Sequence, residues 1–170
     1  MKSAKVRDLH PSKLTTPTDL GDKARNVIEK CINPLVADAF ALFVKTKNFH
    51  WHLSGSHYRD YHLLFDEQAS QIFAMIDVLA ERVRKLGGTT IRSVSQIQKL
   101  QNVKDDDDNF VPARDMVRRL MLDNKELAAR MRAAHEVCDH HNDVATASFL
   151  EVFIDETERR TWFLYETQVD

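Results

Sequence analysis

Residues with metal-binding side chains are concentrated in one short stretch of the sequence, residues 49–68 (FHWHLSGSHYRDYHLLFDEQ). Four of the chain's eight histidines lie there: His50, His52, His57 and His62. Asp66 lies near the end of the stretch, and two further acids, Asp77 and Glu81, follow it. Imidazole nitrogens and carboxylate oxygens are donors that suit Fe(II), Mn(II) and Zn(II). The composition of this stretch therefore predicts a metal site.

A helix over this region would place four of the donors on one face, because they fall within an arc of about 100°. The four are His62, Asp66, Asp77 and Glu81. However, 15 residues separate His62 from Asp77. That is roughly 22 Å along a helix axis, whereas metal–ligand bonds are about 2 Å long. One helix therefore cannot bring all four donors to one ion.

The spacing of the four donors is symmetric, which suggests how two chains would share an ion. His62 and Glu81 have the same midpoint, between positions 71 and 72, as Asp66 and Asp77. Two such helices packed antiparallel about a two-fold axis would bring each half of the set against the other half from the second chain. We therefore predict two identical sites per dimer, each at the interface between subunits.

His50 is the fifth predicted ligand. It precedes His62 by 12 residues across the turn SGS at 54–56, so the two lie at about the same height in an antiparallel helix hairpin. One chain would then supply His50, His62 and Asp66, and the other would supply Asp77 and Glu81. Taken singly, each residue has an ordinary alternative, such as an ion pair between Glu81 and Lys85 on an exposed face.

The hydrophobic pattern predicts the elements that must position these residues: four long helices and no strands. The predicted helices span about 21–53, 58–86, 112–138 and 143–166, with a short helix at 93–100. Pro34 either kinks the first helix or starts a new one with Asn33 as its N-cap. The long connection from the second to the third helix lets these two run in the same direction, as in a ferritin-like bundle.

The second helix carries apolar residues at alternating spacings of four and three, which is typical of a bundle core. They are Phe65, Ala69, Ile72, Ile76, Leu79, Val83 and Leu86.

Composition and charge exclude several classes of protein. No apolar run approaches the roughly 18 residues of a membrane span, and the N-terminus has no apolar signal region. The two cysteines form no CxxC motif and fit a reduced, cytoplasmic protein. No HExxH zinc motif, Glu-x-x-His di-iron motif or phosphate-binding loop occurs.

The N-terminal arm, residues 1–20, is mildly basic although the chain has a net charge of −2. Four cations against Asp8 give residues 1–13 a charge of +3. The cations are Lys2, Lys5, Arg7 and Lys13. The arm is either a solvated, flexible terminus or a DNA contact. Residues 21–170 are the predicted helical domain.

Three motifs, KTKNFHWHLSG, HYRDYHLLFDE and IDVLAERVRKLGG, resemble those of the Dps family, the mini-ferritins. The resemblance covers about residues 25–167. It implies a cytoplasmic or nucleoid-associated protein of bacteria, assembled as a hollow homododecamer with metal sites at its two-fold interfaces. It also implies oxidation of Fe(II), preferably by hydrogen peroxide, and storage of ferric mineral, with one or two irons per site. The alternative is mainly a nucleoid DNA-binding protein with secondary iron chemistry.

The resemblance also implies roles for particular residues. The family's ferroxidase ligands match His50, His62, Asp66, Asp77 and Glu81. The family's tryptophan beside the first histidine matches Trp51, a candidate electron donor. Family members admit Fe(II) through acidic three-fold pores near the start of the fourth helix, for which Asp143 and Glu151 are candidates. Ser148 stands where a pore carboxylate is expected.

Overall fold

The computed structural model describes residues 14–168, and within that range the fold is built from helices, without strands. The helices are α1 (Asp22–His52), α2 (Tyr58–Lys85), α3 (Val94–Leu100), α4 (Ala113–His140) and α5 (Val144–Glu166). This confirms the all-α prediction of four long helices with a short extra helix in the second-to-third connection. In the described part of the chain, no helix combines the length and the apolar character needed to cross a membrane.

Helix α1 continues without a break through Pro34. Asn33 therefore caps no new helix. Its side-chain amide instead donates a hydrogen bond to the Thr89 carbonyl at 2.8 Å, which ties the middle of α1 to the chain just after α2. Of the two alternatives for Pro34, the structure therefore excludes a new helix starting at Asn33.

A serine and a glycine mark two of the helix boundaries, close to the predicted positions. Ser93 caps α3 by accepting from the Gln96 amide at 3.3 Å. Gly87 follows α2 with φ of 78°, the left-handed conformation that glycine adopts without a steric penalty. A side chain at Gly87 would also lie only 3.0 Å from the Thr16 amide nitrogen. The GG pair therefore ends α2 for both conformational and packing reasons.

The core lies along the shared axis of the four long helices. Every residue of the predicted apolar stripe of α2 is buried: Phe65, Ala69, Ile72, Ile76, Leu79, Val83 and Leu86. Helix α1 packs against α2 and α4, and α4 packs against α5. Burial of these stripes supplies most of the driving force for the bundle, at about 25 cal/mol per Å² of apolar surface.

The long connection between α2 and α4 is held by a buried carboxylate. Asp38 of α1 is fully buried and accepts hydrogen bonds from the backbone amides of Asn102 and Val103. It also accepts from Nε of Arg130 on α4 at 2.8 Å. One residue thus fixes the connection between α2 and α4 to two helices, α1 and α4.

Candidate metal centre

His50 and His62 lie face to face across the hairpin of α1 and α2. Their ring centroids are 3.7 Å apart and the planes differ by 21°. Nδ1 of His50 lies 2.9 Å from the carbonyl oxygen of His62, and Nδ1 of His62 lies 3.1 Å from the carbonyl oxygen of His50. A carbonyl only accepts hydrogen bonds, so each Nδ1 carries the proton. In the neutral rings, both Nε2 atoms are therefore left with a free lone pair for a cation.

The local fold explains this reciprocal pairing. Helix α1 ends at His52, so the carbonyl of His50 belongs to the last turn and has no partner within the helix. The turn that follows contains Gly55 at φ of 117°, and α2 begins at Tyr58. This tight reversal brings the start of α2 level with the end of α1. The unpaired carbonyl of His50 then meets the ring of His62.

Asp66 lies one helical turn beyond His62 and faces the same site. Its Oδ1 is 3.9 Å from Nε2 of His50 and accepts a hydrogen bond from Nζ of Lys47 at 2.7 Å. The Lys47 ammonium holds the pKa of this carboxyl below its usual value, and the two nearby histidines act in the same direction. Asp66 is half exposed, ionised at neutral pH and neutralised by Lys47 in the isolated chain.

Asp77 and Glu81 lie at the other end of α2, and both are exposed. Glu81 has only a local partner, Lys85, at 3.2 Å one turn away. Between residues 14 and 168, no three His, Cys, Asp or Glu side chains of one chain are arranged to hold an ion. Because α2 runs from Tyr58 to Lys85, its centre falls between positions 71 and 72, at the midpoint of the donor pairs.

The face of α2 that carries the two donor groups is partly apolar. Leu63 is 52% exposed and Phe73 is 56% exposed, although both are large hydrophobic residues. The Phe73 ring lies 5.2 Å from that of Phe43 on α1. A cavity of about 450 Å³ on this side is lined by Phe40, Phe73, Asp77 and others. An apolar surface with charged donors at both ends suits contact with another protein surface better than contact with water.

Trp51 follows His50 in the sequence and is 64% exposed. It lines a groove of about 660 Å³ together with the acidic loop at 105–108. The Lys47 ammonium, which donates to Asp66, lies 5.8 Å from the centroid of the Trp51 ring. Lys47 therefore links the tryptophan to the donor set.

Lys47 is the residue of this site that the sequence analysis missed. It precedes His50 by three positions, which places both side chains on one face of α1. That spacing is a signal in the sequence. A metal-ligand pattern contains only neutral and anionic donors, so it does not include a lysine.

The two candidate pore residues lie near the start of α5 in different environments. Asp143 is 2% exposed and accepts from Nη2 of Arg82 at 2.5 Å and from the Thr146 amide at 3.2 Å, so its carboxylate caps the helix. Glu151 is exposed, and its Oε1 lies 3.1 Å from Nε2 of His135. The proposed DNA contacts of the arm lie outside the described residues: Lys2, Lys5, Arg7 and Lys13.

Comparison with known proteins agrees with the fold. Residues 29–169 match the ferritin-like domain family. An uncharacterized low temperature-induced protein of Nostoc is 34% identical over 146 residues, covering 85% of this chain and 82% of the relative. The DNA protection during starvation protein of Halobacterium salinarum is 30% identical over 133 residues, covering 76% and 73%. A crystal structure of a Dps protein from Bacillus brevis superposes with a TM-score of 0.84 at 28% identity, covering 88% of this chain and 99% of that one. On the strength of the family match, these relatives and the shared bundle, the chain belongs to the Dps family of ferritin-like proteins.

Proposed function

We propose that this protein is a ferroxidase that oxidises Fe(II), preferably with hydrogen peroxide, and stores the ferric product inside a dodecameric cage. The observation that carries the proposal is the division of donors along α2. Two histidines and one carboxylate are gathered at one end, and two exposed carboxylates stand at the other. Neither group is complete, and each is what the other lacks.

In the proposed site, ferrous ions are the substrate. Nε2 of His50 and of His62, with Asp66, would hold iron from one chain. Asp77 and Glu81 would complete the site from a second chain. Imidazole suits Fe(II), and the carboxylates favour the ion further once it carries a third positive charge. Two Fe(II) ions give one electron each, and one hydrogen peroxide with two protons becomes two waters. Iron and peroxide are thus removed together, without release of hydroxyl radicals.

The surrounding residues support the same proposal. The apolar surface of Leu63 and Phe73 would be covered by the second chain, which also excludes water from the donors. Glu151, which is exposed, is the better placed of the two candidate pore residues, because the carboxylate of Asp143 is already shared between Arg82 and the helix cap. The Trp51 ring lies next to Lys47, which contacts the donor residue Asp66. In this proposal Trp51 would supply an electron when the oxidant is in excess over Fe(II).

The test is the rate of iron oxidation in the double variant Asp77→Ala with Glu81→Ala. Fe(II) is added without oxygen, peroxide or oxygen is mixed in, and the Fe(III) absorbance is followed. We expect the fast peroxide-driven phase to be lost while the assembly keeps its mass. Asp60→Ala with Glu67→Ala is the matched control, since these exposed acids of α2 lie off the donor face. Unchanged kinetics in the first variant would rule out the intersubunit site.

DNA binding is the second candidate function. It is favoured by the basic residues of the N-terminal arm and by the name of the Halobacterium relative, a DNA protection protein. The charge of +3 on residues 1–13 neutralises only a few phosphates, so the contribution of the arm to affinity falls steeply with salt. The two functions are compatible, because the arm precedes the helical domain that carries the metal ligands.

A further inference from the structure

Three aromatic rings are stacked in series at the turn between α1 and α2. The Tyr58 ring lies against the His62 ring, with centroids 5.1 Å apart and planes that differ by 24°. His62 is in turn stacked on His50, at a centroid distance of 3.7 Å. Tyr58 precedes His62 by four positions on α2, and this spacing places two side chains on the same face of a helix. Tyr58 is therefore in direct ring contact with a proposed iron ligand.

We propose that Tyr58 is an electron donor to the proposed metal centre and supplies one electron, through His62, when a site holds a single Fe(II). Hydrogen peroxide needs two electrons to become two waters, whereas one Fe(II) gives only one. Without a second donor, the other product is a hydroxyl radical. This role rests on the proposed ferroxidase activity and extends it to the condition in which iron is scarce.

The environment of the Tyr58 hydroxyl suits a residue that loses an electron and a proton together. Tyr58 is 46% exposed, and in the described part of the chain no group is hydrogen-bonded to its hydroxyl. Water can therefore bond to the hydroxyl and take up its proton. Tyr61 differs, because its hydroxyl donates to the Thr167 carbonyl at 3.2 Å, and a carbonyl accepts a hydrogen bond without taking the proton. The Tyr61 ring contacts His57 and Phe65, which are not predicted ligands.

Trp51 is the candidate electron donor that the family resemblance implies, and its surroundings make it the poorer donor of the two. The Lys47 ammonium lies 5.8 Å from the centroid of the Trp51 ring. A cation near a ring is attracted by the electrons of the ring, so it opposes the loss of one of them. Tyr58 instead contacts an imidazole that would bind the iron. We therefore expect Tyr58 to give the first electron and Trp51 a later one.

The chemistry balances with one Fe(II), one peroxide and one tyrosine. The Fe(II) gives one electron and the O–O bond breaks, which yields Fe(III), a hydroxide and the equivalent of a hydroxyl radical. Tyr58 gives the second electron, which converts that radical to a second hydroxide, and releases its hydroxyl proton to water. The two hydroxides take up that proton and one from solvent and leave as waters. A further Fe(II) and a proton then return the tyrosyl radical to tyrosine, so each peroxide again consumes two Fe(II).

The test detects the radical by electron paramagnetic resonance in the assembled full-length protein. The protein receives one Fe(II) per predicted site without oxygen, is mixed with excess hydrogen peroxide, and is frozen within the first turnover. We expect a tyrosyl signal that narrows when the protein is made with ring-deuterated tyrosine and disappears when more Fe(II) is added before freezing. The signal should be lost in Tyr58→Phe and retained in the matched control Tyr61→Phe.

The variant Tyr58→Trp separates electron donation from packing. It keeps an oxidisable ring beside His62, so the signal of an indole radical should replace the tyrosyl signal, whereas Tyr58→Phe keeps only a ring that is hard to oxidise. In Tyr58→Phe, a spin trap in solution should capture more hydroxyl radical than in the unmodified protein. If a variant misfolds, peptide mapping of the unmodified protein after repeated turnover still decides, because oxidised tyrosine products should be concentrated at Tyr58.

Failure of this role and failure of the ferroxidase give different results. A tyrosyl signal that persists in Tyr58→Phe, or an indole radical as the first signal of the unmodified protein, would overturn the role of Tyr58 and leave the ferroxidase intact. Fast Fe(II) oxidation without any tyrosyl signal would do the same. Absence of peroxide-driven Fe(II) oxidation in the unmodified protein would overturn both.

Discussion

At the scale of single residues, the backbone decides what His50 and His62 can do. Each ring donates Nδ1–H to the carbonyl of the other residue, at 2.9 and 3.1 Å. A histidine ligand whose second nitrogen is held in this way is both oriented and fixed in one tautomer. The sequence predicted that the two rings would lie at the same height. It could not predict the hydrogen bonds, because they depend on where α1 ends.

Lys47 supplies a prediction at the same scale. Its ammonium forms an ion pair with the Asp66 carboxylate, so a metal ion that binds Asp66 must displace the ammonium. Lys47→Gln should therefore strengthen binding of a divalent ion by a few fold, the range expected for an exposed ion pair. Zn(II) titration of the assembled protein by calorimetry measures this effect without oxidation.

A control variant distinguishes this local effect from a general change in charge. Lys99→Gln removes an exposed lysine of α3 and should leave the Zn(II) affinity unchanged. Equal gains in both variants, or no gain in Lys47→Gln, would show that Lys47 does not compete with the ion for Asp66.

At the scale of helices, the apolar spacing was sufficient to predict α2 but not all of α5. Every stripe residue predicted on α2 is buried, because the 4-3 spacing alone sets that face. On α5, Arg160 is also buried, with Nε donating to the Asn124 side chain at 2.9 Å and Nη2 to Thr157 at 2.6 Å. Burial lowers the pKa of Arg160 to about 10. A sequence pattern predicts that an arginine is exposed. It cannot predict the burial of Arg160, because the partner Asn124 belongs to another helix.

Asp38 supplies the prediction for the helical scale. Asp38→Ala would leave the amides of Asn102 and Val103 and the guanidinium of Arg130 without their acceptor. Removing one member of a buried charged network costs about 3 kcal/mol. We expect a clear drop in the thermal denaturation midpoint. Glu126→Ala, an exposed acid of α4, is the control and should stay close to the unmodified protein. Equal midpoints in the two variants would contradict the anchoring role.

At the scale of the whole molecule, the main feature is the partly apolar, exposed face of α2, which carries the predicted donors near its two ends. Phe73 lies near the centre of that face. Phe73→Glu would place a charge where the proposed two-fold packs α2 against its copy, so two like charges would meet. We expect the assembly to dissociate into smaller species and iron oxidation to slow, with helicity retained. Mass photometry and circular dichroism measure the two properties. An intact assembly would place the interface elsewhere.

The N-terminal arm is the other whole-molecule feature, and its charge opposes that of the rest of the chain. The chain has a net charge of −2, whereas residues 1–13 of the arm carry +3, so the rest of the chain is acidic and should repel DNA. If the cage forms, many arms would act together, and several weak contacts would add up to measurable avidity. We therefore expect DNA binding at low salt that weakens steeply as salt rises.

Gel shifts at several salt concentrations test this with two variants. One lacks residues 1–13, and the other keeps the arm's length but replaces its four cations with glutamine. If the arm acts through charge, both should lose the shift and keep the full rate of peroxide-driven iron oxidation. If only the deletion loses the shift, the arm contributes shape rather than charge. If both still bind DNA, the contact lies on the helical domain. That domain must then carry a local basic patch despite its negative net charge. The salt dependence of the remaining binding then counts the phosphates which that patch neutralises, because each released counterion contributes to the slope.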